Sequence, residues 1–176
     1  MEHNTSIAIQ NLTDYNNGIT NFTWLELPAS EENIQKALEK INALEEEDFF
    51  ISDFETDLEL PKSEFDITTL MELEELSNTL EDFEALDEWE QEETAAILEF
   101  ETMSLETAMD NQRQGRFIFH SGITDAYDLG EYYFEEIDFC GRQIPSHLRN
   151  YIDYKAYGED IAMDGMFTTY GFIQWA

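Results

Sequence analysis

"ELEELSNTLEDFEALDEWEQEE", from Glu72 to Glu93, holds eleven carboxylates and no lysine or arginine. Two patterns are superposed in it. Leu70, Leu73, Leu76, Leu80, Phe83, Leu86 and Trp89 recur every three or four residues, the spacing of one buried helix face. The remaining positions carry almost one sign of charge. Helix surfaces usually mix signs, because opposite charges four residues apart contribute roughly 0.2–0.5 kcal/mol and like charges cost a similar amount. Thr69 with Glu72, and Asn78 with Glu81, both fit the spacing of a capping box. The stretch therefore predicts two or three short helices, with a turn at Asn78 rather than one long rod. "TAAILEF" at 94–100 continues the helical pattern, and Ser104 is placed to cap a further helix ending near Asn111.

Moving outward, charge divides the chain into thirds. Residues 1–62 carry a net −11, residues 63–115 a net −16, and residues 116–176 a net −6, out of −33 for 176 residues. Acidic chains of this kind are often disordered when aromatics are scarce. Here 13 Phe, 8 Tyr and 3 Trp accompany a 42% hydrophobic content, enough to build cores. Self-repulsion works against such a compact state, so salt is expected to stabilise it by screening.

The first third reads as α+β. "SIAIQNL" alternates apolar and polar residues, and "NFTWLEL" does so after a turn at Asn16–Gly18. Ser30 is a suitable N-cap, with Glu31 and Glu32 in the first turn. Ile34, Ala37, Leu38, Ile41 and Leu44 then fall on one helical face. "DFFISDFE" returns as a third strand. The last third is mixed again. "RFIFH" at 116–120 reads as a strand, and "TDAYDLGEYYFEEID" as an amphipathic helix with Gly130 a weak point inside it. Pro145 and Ser146 open a short helix leading into "NYIDYKAYG", and "MFTTYGFIQW" reads as a hairpin turning near Tyr170–Gly171. The expected class is α+β in three small domains: 1–62 with a β-sheet plus helix, 63–115 acidic and helical, and 116–176 mixed.

Catalytic constellations are not visible. His3, His120 and His147 are scattered, with no zinc spacing. Cys140 is the only cysteine, with no sign of activation by a local base. Phosphate-binding glycine loops and the Gly-x-Ser-x-Gly elbow are missing. Asp53, Glu55, Asp57 and Glu59 alternate but lack the central glycine of a calcium loop, and the same alternation fits one solvated face of a strand. No catalytic, cofactor or metal residues are assigned. The N-terminus has no basic region followed by an apolar run, and no apolar run approaches 18 residues, so a cytoplasmic location without membrane contact is expected.

Eight basic residues against 41 acids cannot supply a phosphate-binding face. The inverse relation is possible. Each DNA strand carries one charge per about 3.4 Å. Were residues 63–115 all helix at about 1.5 Å per residue, 17 acids would fall roughly one per 4.7 Å, a density of the order DNA presents to a protein that binds it. Solvation alone explains polarity opposite the leucine stripe. It does not explain the single sign.

Several segments resemble one family. "NYIDYKAYGEDI" (150–161) is followed by "GMFTTYGF" (165–172). "HSGITDAYDLGEYYFEE" spans 120–136 and "FFISDFETDLEL" spans 49–60. These are similar to segments of the ArdA antirestriction proteins. The resemblance implies an elongated molecule of three small domains in a curve, encoded on mobile genetic elements. It implies DNA mimicry: a non-enzymatic protein that occupies the DNA-binding cleft of Type I restriction–modification enzymes. It also implies a homodimer joined through the C-terminal domain. The charge division agrees, since like-charged chains meet at least cost where net charge is lowest.

The reading places the DNA-mimic surface on Glu72, Glu74, Glu75, Glu81, Asp82, Glu84, Asp87, Glu88, Glu90, Glu92 and Glu93. Tyr151, Tyr154 and Tyr157, three residues apart, are candidate dimer contacts, or else pack within their own domain. Two other classes stay open: an acidic decoy or chaperone for nucleoid-type basic DNA-binding proteins, and an acid/base enzyme on an acidic background.

Overall fold

In the computed structural model, residues 3–43, 48–137 and 144–176 are described. Leu44 and Cys140 lie outside them. The chain is mixed α+β, and among the described residues it has eight α-helices and two three-stranded antiparallel sheets. It divides into two compact units, Met1–Gln91 with Thr102–Thr107, and Glu92–Glu101 with Ala108–Ala176. The acidic stretch 63–115 is shared between the two.

The first unit is built on β1 (Thr5–Asn11), flanked by β2 (Phe22–Leu27) and β3 (Phe49–Thr56). The expected turn after β1 contains one more element, a short helix α1 (Leu12–Asn16). Asn11 starts it by accepting from Asp14 N at 2.8 Å. Gly18, at φ 76°, closes the turn, a backbone conformation glycine adopts without strain. Helix α2 (Glu31–Lys40) starts at Ser30, whose hydroxyl accepts from Asn33 N at 3.3 Å. Its buried Ile34, Ala37 and Leu38 lie with Ile7, Ile9, Leu25 and Leu27 in the core. Lys40 Nζ donates to Thr23 Oγ1 at 2.9 Å, which sets α2 on the Thr23–Leu25–Leu27 side of the sheet.

Helix α3 (Leu70–Glu84) runs through Asn78 without a break, so the turn expected there is corrected. The buried stripe Leu73, Leu76, Leu80 and Phe83 is continuous, and a turn at Asn78 would split it. Asn78 is simply an exposed mid-helix residue. The break comes at Ala85–Asp87, before α4 (Glu88–Phe100). There Asp87 Oδ1 accepts from Glu90 N at 2.9 Å, and Glu90 Oε2 accepts from Asp87 N at 3.1 Å. This is a reciprocal capping box. The apolar stripe also ends earlier than its periodicity suggests, because Trp89 is half exposed. Helix α5 (Leu105–Arg113) follows, with Ser104 Oγ accepting from Thr107 N at 3.2 Å as expected.

The second unit carries β4 (Phe117–Ser121), β6 (Gly171–Trp175) and β5 (Gly165–Phe167), with β6 central. Helix α6 (Ala126–Tyr132) is capped by Asp125 and passes into a π-helical turn at Tyr133–Ile137. After α7 (Ser146–Arg149), helix α8 (Tyr154–Ile161), capped by Asp153, packs against α6. Gly130 is no weak point: it is where these two backbones touch.

Candidate functional site: an acidic helical surface

Helix α3 positions most of the predicted acids. With Leu73, Leu76, Leu80 and Phe83 buried, the 3.6-residue period turns Glu75, Glu81, Asp82 and Glu84 into solvent, with Glu74 half-buried. Asp87 and Glu88, at the start of α4, are exposed as well. Six acids on α3's 15 residues amount to one per about 3.7 Å of helix axis. They form two groups, Glu72–Glu75 and Glu81–Glu84, separated by the uncharged Ser77, Asn78 and Thr79.

Some acids hold the fold. Glu72 completes the cap of α3: Thr69 Oγ1 donates to its Oε2 at 2.8 Å, and Thr68 N and Thr69 N donate at 3.2 and 3.1 Å. The Thr69 hydroxyl first, and then these backbone donors, hold the Glu72 carboxyl below the usual range. Glu90 is committed to the Asp87 box. In the second unit, Glu92 accepts from Ser121 Oγ at 2.6 Å. Glu93 is only 4% exposed and accepts from Gln112 Nε2 at 3.0 Å. Glu93 is therefore a buried structural acid, not part of an exposed face.

The others are uncommitted. Among the described residues, Glu74, Glu75, Glu81, Asp82, Glu84 and Glu88 have no side-chain hydrogen bond or ion pair. The four ion pairs found use Glu32, Asp110, Glu135 and Glu159, none of them in 72–93. Glu81, Asp82 and Glu84 also crowd the last turn of α3, where no basic residue stands. Helix C-termini carry partial negative charge, so acids there are destabilising. What offsets this locally is Gln91, whose Nε2 donates to the carbonyls of Glu84 and Leu86, both at 3.1 Å.

The structure adds acids that a contiguous window misses. A depression of about 400 Å³ on the first unit is lined by Glu64, Asp66, Glu72, Glu75 and Glu106 among others. Glu64 ties the start of α5 to this place by accepting from Leu105 N at 3.2 Å. Burial pushes its carboxyl up, against the opposing effect of that hydrogen bond. The alternation of acids at 53–59 is the solvated edge of β3 and the turn after it, where Asp57 accepts from Asn4 N at 3.1 Å.

The three tyrosines have different surroundings. Tyr151 is 84% exposed. Tyr154 is buried, packs edge-on against Tyr127 and Phe134, and donates to Glu135 Oε1 at 3.3 Å. Burial and the Glu135 carboxylate push its phenol up. Arg149 bonds the same carboxylate oxygen. Tyr157 is half-buried against Phe134. His120 lies among Tyr132, Tyr133 and Phe172, with Nε2 at 3.1 Å from the Tyr133 hydroxyl. Burial lowers its pKa.

No helix among the described residues is long and apolar enough to cross a membrane. A search of curated proteins found no match. A family model described as antirestriction protein (ArdA) matches residues 7–174.

Proposed function

The chain belongs to the ArdA antirestriction family, and on that premise we propose that it is a stoichiometric DNA mimic rather than a catalyst. It occupies the DNA-binding cleft of a Type I restriction–modification enzyme and excludes DNA, protecting incoming mobile-element DNA in the host cytoplasm. The observation that carries this reading is the set of exposed, unpaired acids on α3 and early α4. Three of them stand at a helix C-terminus, where they lower stability. A surface arranged only for solubility would mix signs or move those charges to the N-terminus. A basic cleft responds to the opposite arrangement, an uncancelled field of one sign.

Spacing supports the same reading. The two acid groups on α3 are centred about 13 Å apart along the axis, of the order of the roughly 12 Å width of the DNA major groove. The three-domain division at 62/63 and 115/116 belongs to this proposal, and limited proteolysis tests it. So does a homodimer through residues 116–176, now with Tyr151 and Tyr157 as contacts, because Tyr154 is engaged inside its own unit.

The test is competition. The protein is titrated into a Type I enzyme bound to labelled DNA at several salt concentrations. Displacement at low salt that weakens as salt rises is expected, and its absence at low salt refutes the proposal. Exposed charge pairs are each worth about 0.2–1 kcal/mol. Neutralising any one of Glu74, Glu75, Glu81, Asp82, Glu84 or Glu88 should therefore weaken inhibition about fivefold at most. Neutralising all six removes roughly 1.2–6 kcal/mol if additive, a loss of about eightfold or far more. A single substitution that abolished inhibition would point to a local site instead.

A further inference from the structure

Residues directly opposite one another in an antiparallel sheet share a face. In the first sheet, Gln10 pairs with Phe22 and Phe50, Ala8 with Trp24 and Asp53, and Ser6 with Glu26 and Glu55. A bulge at Ser52 keeps Asp53 in this set. The face is opposite to the one α2 covers, since Lys40 reaches Thr23 on the other side. Its rows run from aromatic at one end to acidic at the other. Phe22 and Trp24 are 48% and 44% exposed, and Tyr15 extends the aromatic end by an edge contact with Phe50 at 5.1 Å. Glu26, Asp53 and Glu55 are exposed and make no ion pair among the described residues.

Ala8 and Gln10 on the central strand are already buried, so what this face offers is the exposed side chains of its flanking strands, and we infer that they form a docking site for an arginine-bearing polypeptide segment. The face and such a segment are complementary. Aromatic faces attract cations. A guanidinium stacks on a ring and pairs with a carboxylate in the same plane, which an ammonium does not. Trp24 and Glu26 are one pleat apart, about 7 Å, so one arginine spans both. A wholly apolar partner would strip water from three carboxylates without replacing it. Nucleic acid and anionic lipid are repelled. A second copy would bring the same acids against themselves. Lys36 is paired with Glu32 and Lys40 with Thr23 on α2. Lys62 lines a depression with Asp53 but makes no ion pair with it. The inference rests on the proposed function only for where such a segment is met, in the phosphate-binding cleft of a restriction enzyme.

The test uses the full chain and two fluorescein-labelled probes, nona-arginine and nona-lysine, read by anisotropy. Both are drawn by the overall field. Nona-arginine is expected to bind about tenfold more tightly, and Trp24→Ala or Glu26→Gln to remove most of that preference by weakening nona-arginine several-fold more than nona-lysine. Equal affinity of the two peptides for the wild-type protein overturns the inference, as does a preference that survives both substitutions. Glu26→Gln carries the variant arm if Trp24→Ala does not fold. DNA displacement from a Type I enzyme separates this from the proposed function. If the wild type displaces DNA and folded Trp24→Ala does so equally well, the docking site falls and the mimic stands. If the wild type displaces nothing, the mimic falls and the peptide comparison still decides the docking site.

Discussion

The crossing of α6 and α8 yields a prediction that can be worked from distances. A Cβ added at Gly158 would lie 1.7 Å from Ala126 O and 2.8 Å from Gly130 N; one added at Gly130 would lie 1.9 Å from Tyr154 O. These are backbone atoms, so no side chain can swing aside. Ordinary contact begins near 3.4 Å, so Gly158→Ala must part the helices by roughly 1.7 Å. A gap of 0.5–1 Å already forfeits about a quarter to a half of each dispersion contact. The contacts at stake include Leu129 and Tyr154, both buried. Overpacking of this kind costs about 1–3 kcal/mol or more, and here the obstruction is main chain, so the upper end applies. Replacing a helical glycine by alanine returns at most about 1 kcal/mol. A net loss of roughly 2–3 kcal/mol lowers the melting temperature by about 4–12 °C for a chain of this size. Thermal denaturation followed by circular dichroism measures it, with Asn78→Ala on exposed mid-α3 as a control that should not melt earlier. A Gly158→Ala protein melting within 2 °C of the parent refutes the claim that the two backbones are in contact.

Four further outcomes are expected. Glu64 has its folded pKa raised by burial, so its contribution to stability is present below the unfolded value and lost as pH rises through the folded one. Glu64→Gln, which keeps an acceptor for Leu105 N, should raise the melting temperature at pH 7 and not at pH 4. His120 has its folded pKa lowered by burial, so the unfolded chain protonates first and stability falls as pH drops below about 6.5. His120→Gln should flatten the decline in melting temperature between about pH 6.5 and 5. Asp87→Ala removes the side-chain arm of the α4 cap and should cost about 0.5–2 kcal/mol in a denaturant titration. Raising salt from about 20 to 150 mM shortens the Debye length from roughly 20 to 8 Å and should raise the melting temperature; an unchanged melt would mean the −33 charge is not a net burden on the fold.

Much of the fold was legible because local chemistry and burial agreed. Strands β1, β2 and β3, the Ser30 cap and the Thr69–Glu72 box follow from alternation and side-chain oxygens at fixed offsets. The C-terminal hairpin does too. Legibility failed where two local signals competed. Asn78–Glu81 and Asp87–Glu90 both have capping spacing. Only the second coincides with an interruption that the core tolerates, because Leu76, Leu80 and Phe83 must stay in register across Asn78. Gly130 failed for a different reason. Its use is a contact with Tyr154 O, more than twenty residues away, and helix propensity is blind to partners. Tyr154 and Tyr157 share a spacing with Tyr151 but not an environment, since Phe134 packs against the first two and Glu135 bonds Tyr154.

The acidic surface shows the same limit from the other side. Composition identified the charge but could not sort it, because a carboxylate that caps a helix and one left open to solvent are the same letter. Glu93 is drawn inward by Gln112 and Glu92 is bound by Ser121, while Glu72 and Glu90 cap helices. Acids such as Glu64 and Glu106, outside the dense window, are brought beside Glu72 and Glu75 by the chain's return at α5. The division follows from geometry: acids at capping positions or facing polar partners acquire structural work, and those on the outer face of α3 have none. A stability-driven sequence would thin the second group first, above all Glu81, Asp82 and Glu84, which oppose the α3 dipole. Nothing beneath that face requires them, and the proposed mimic is the role that would use them.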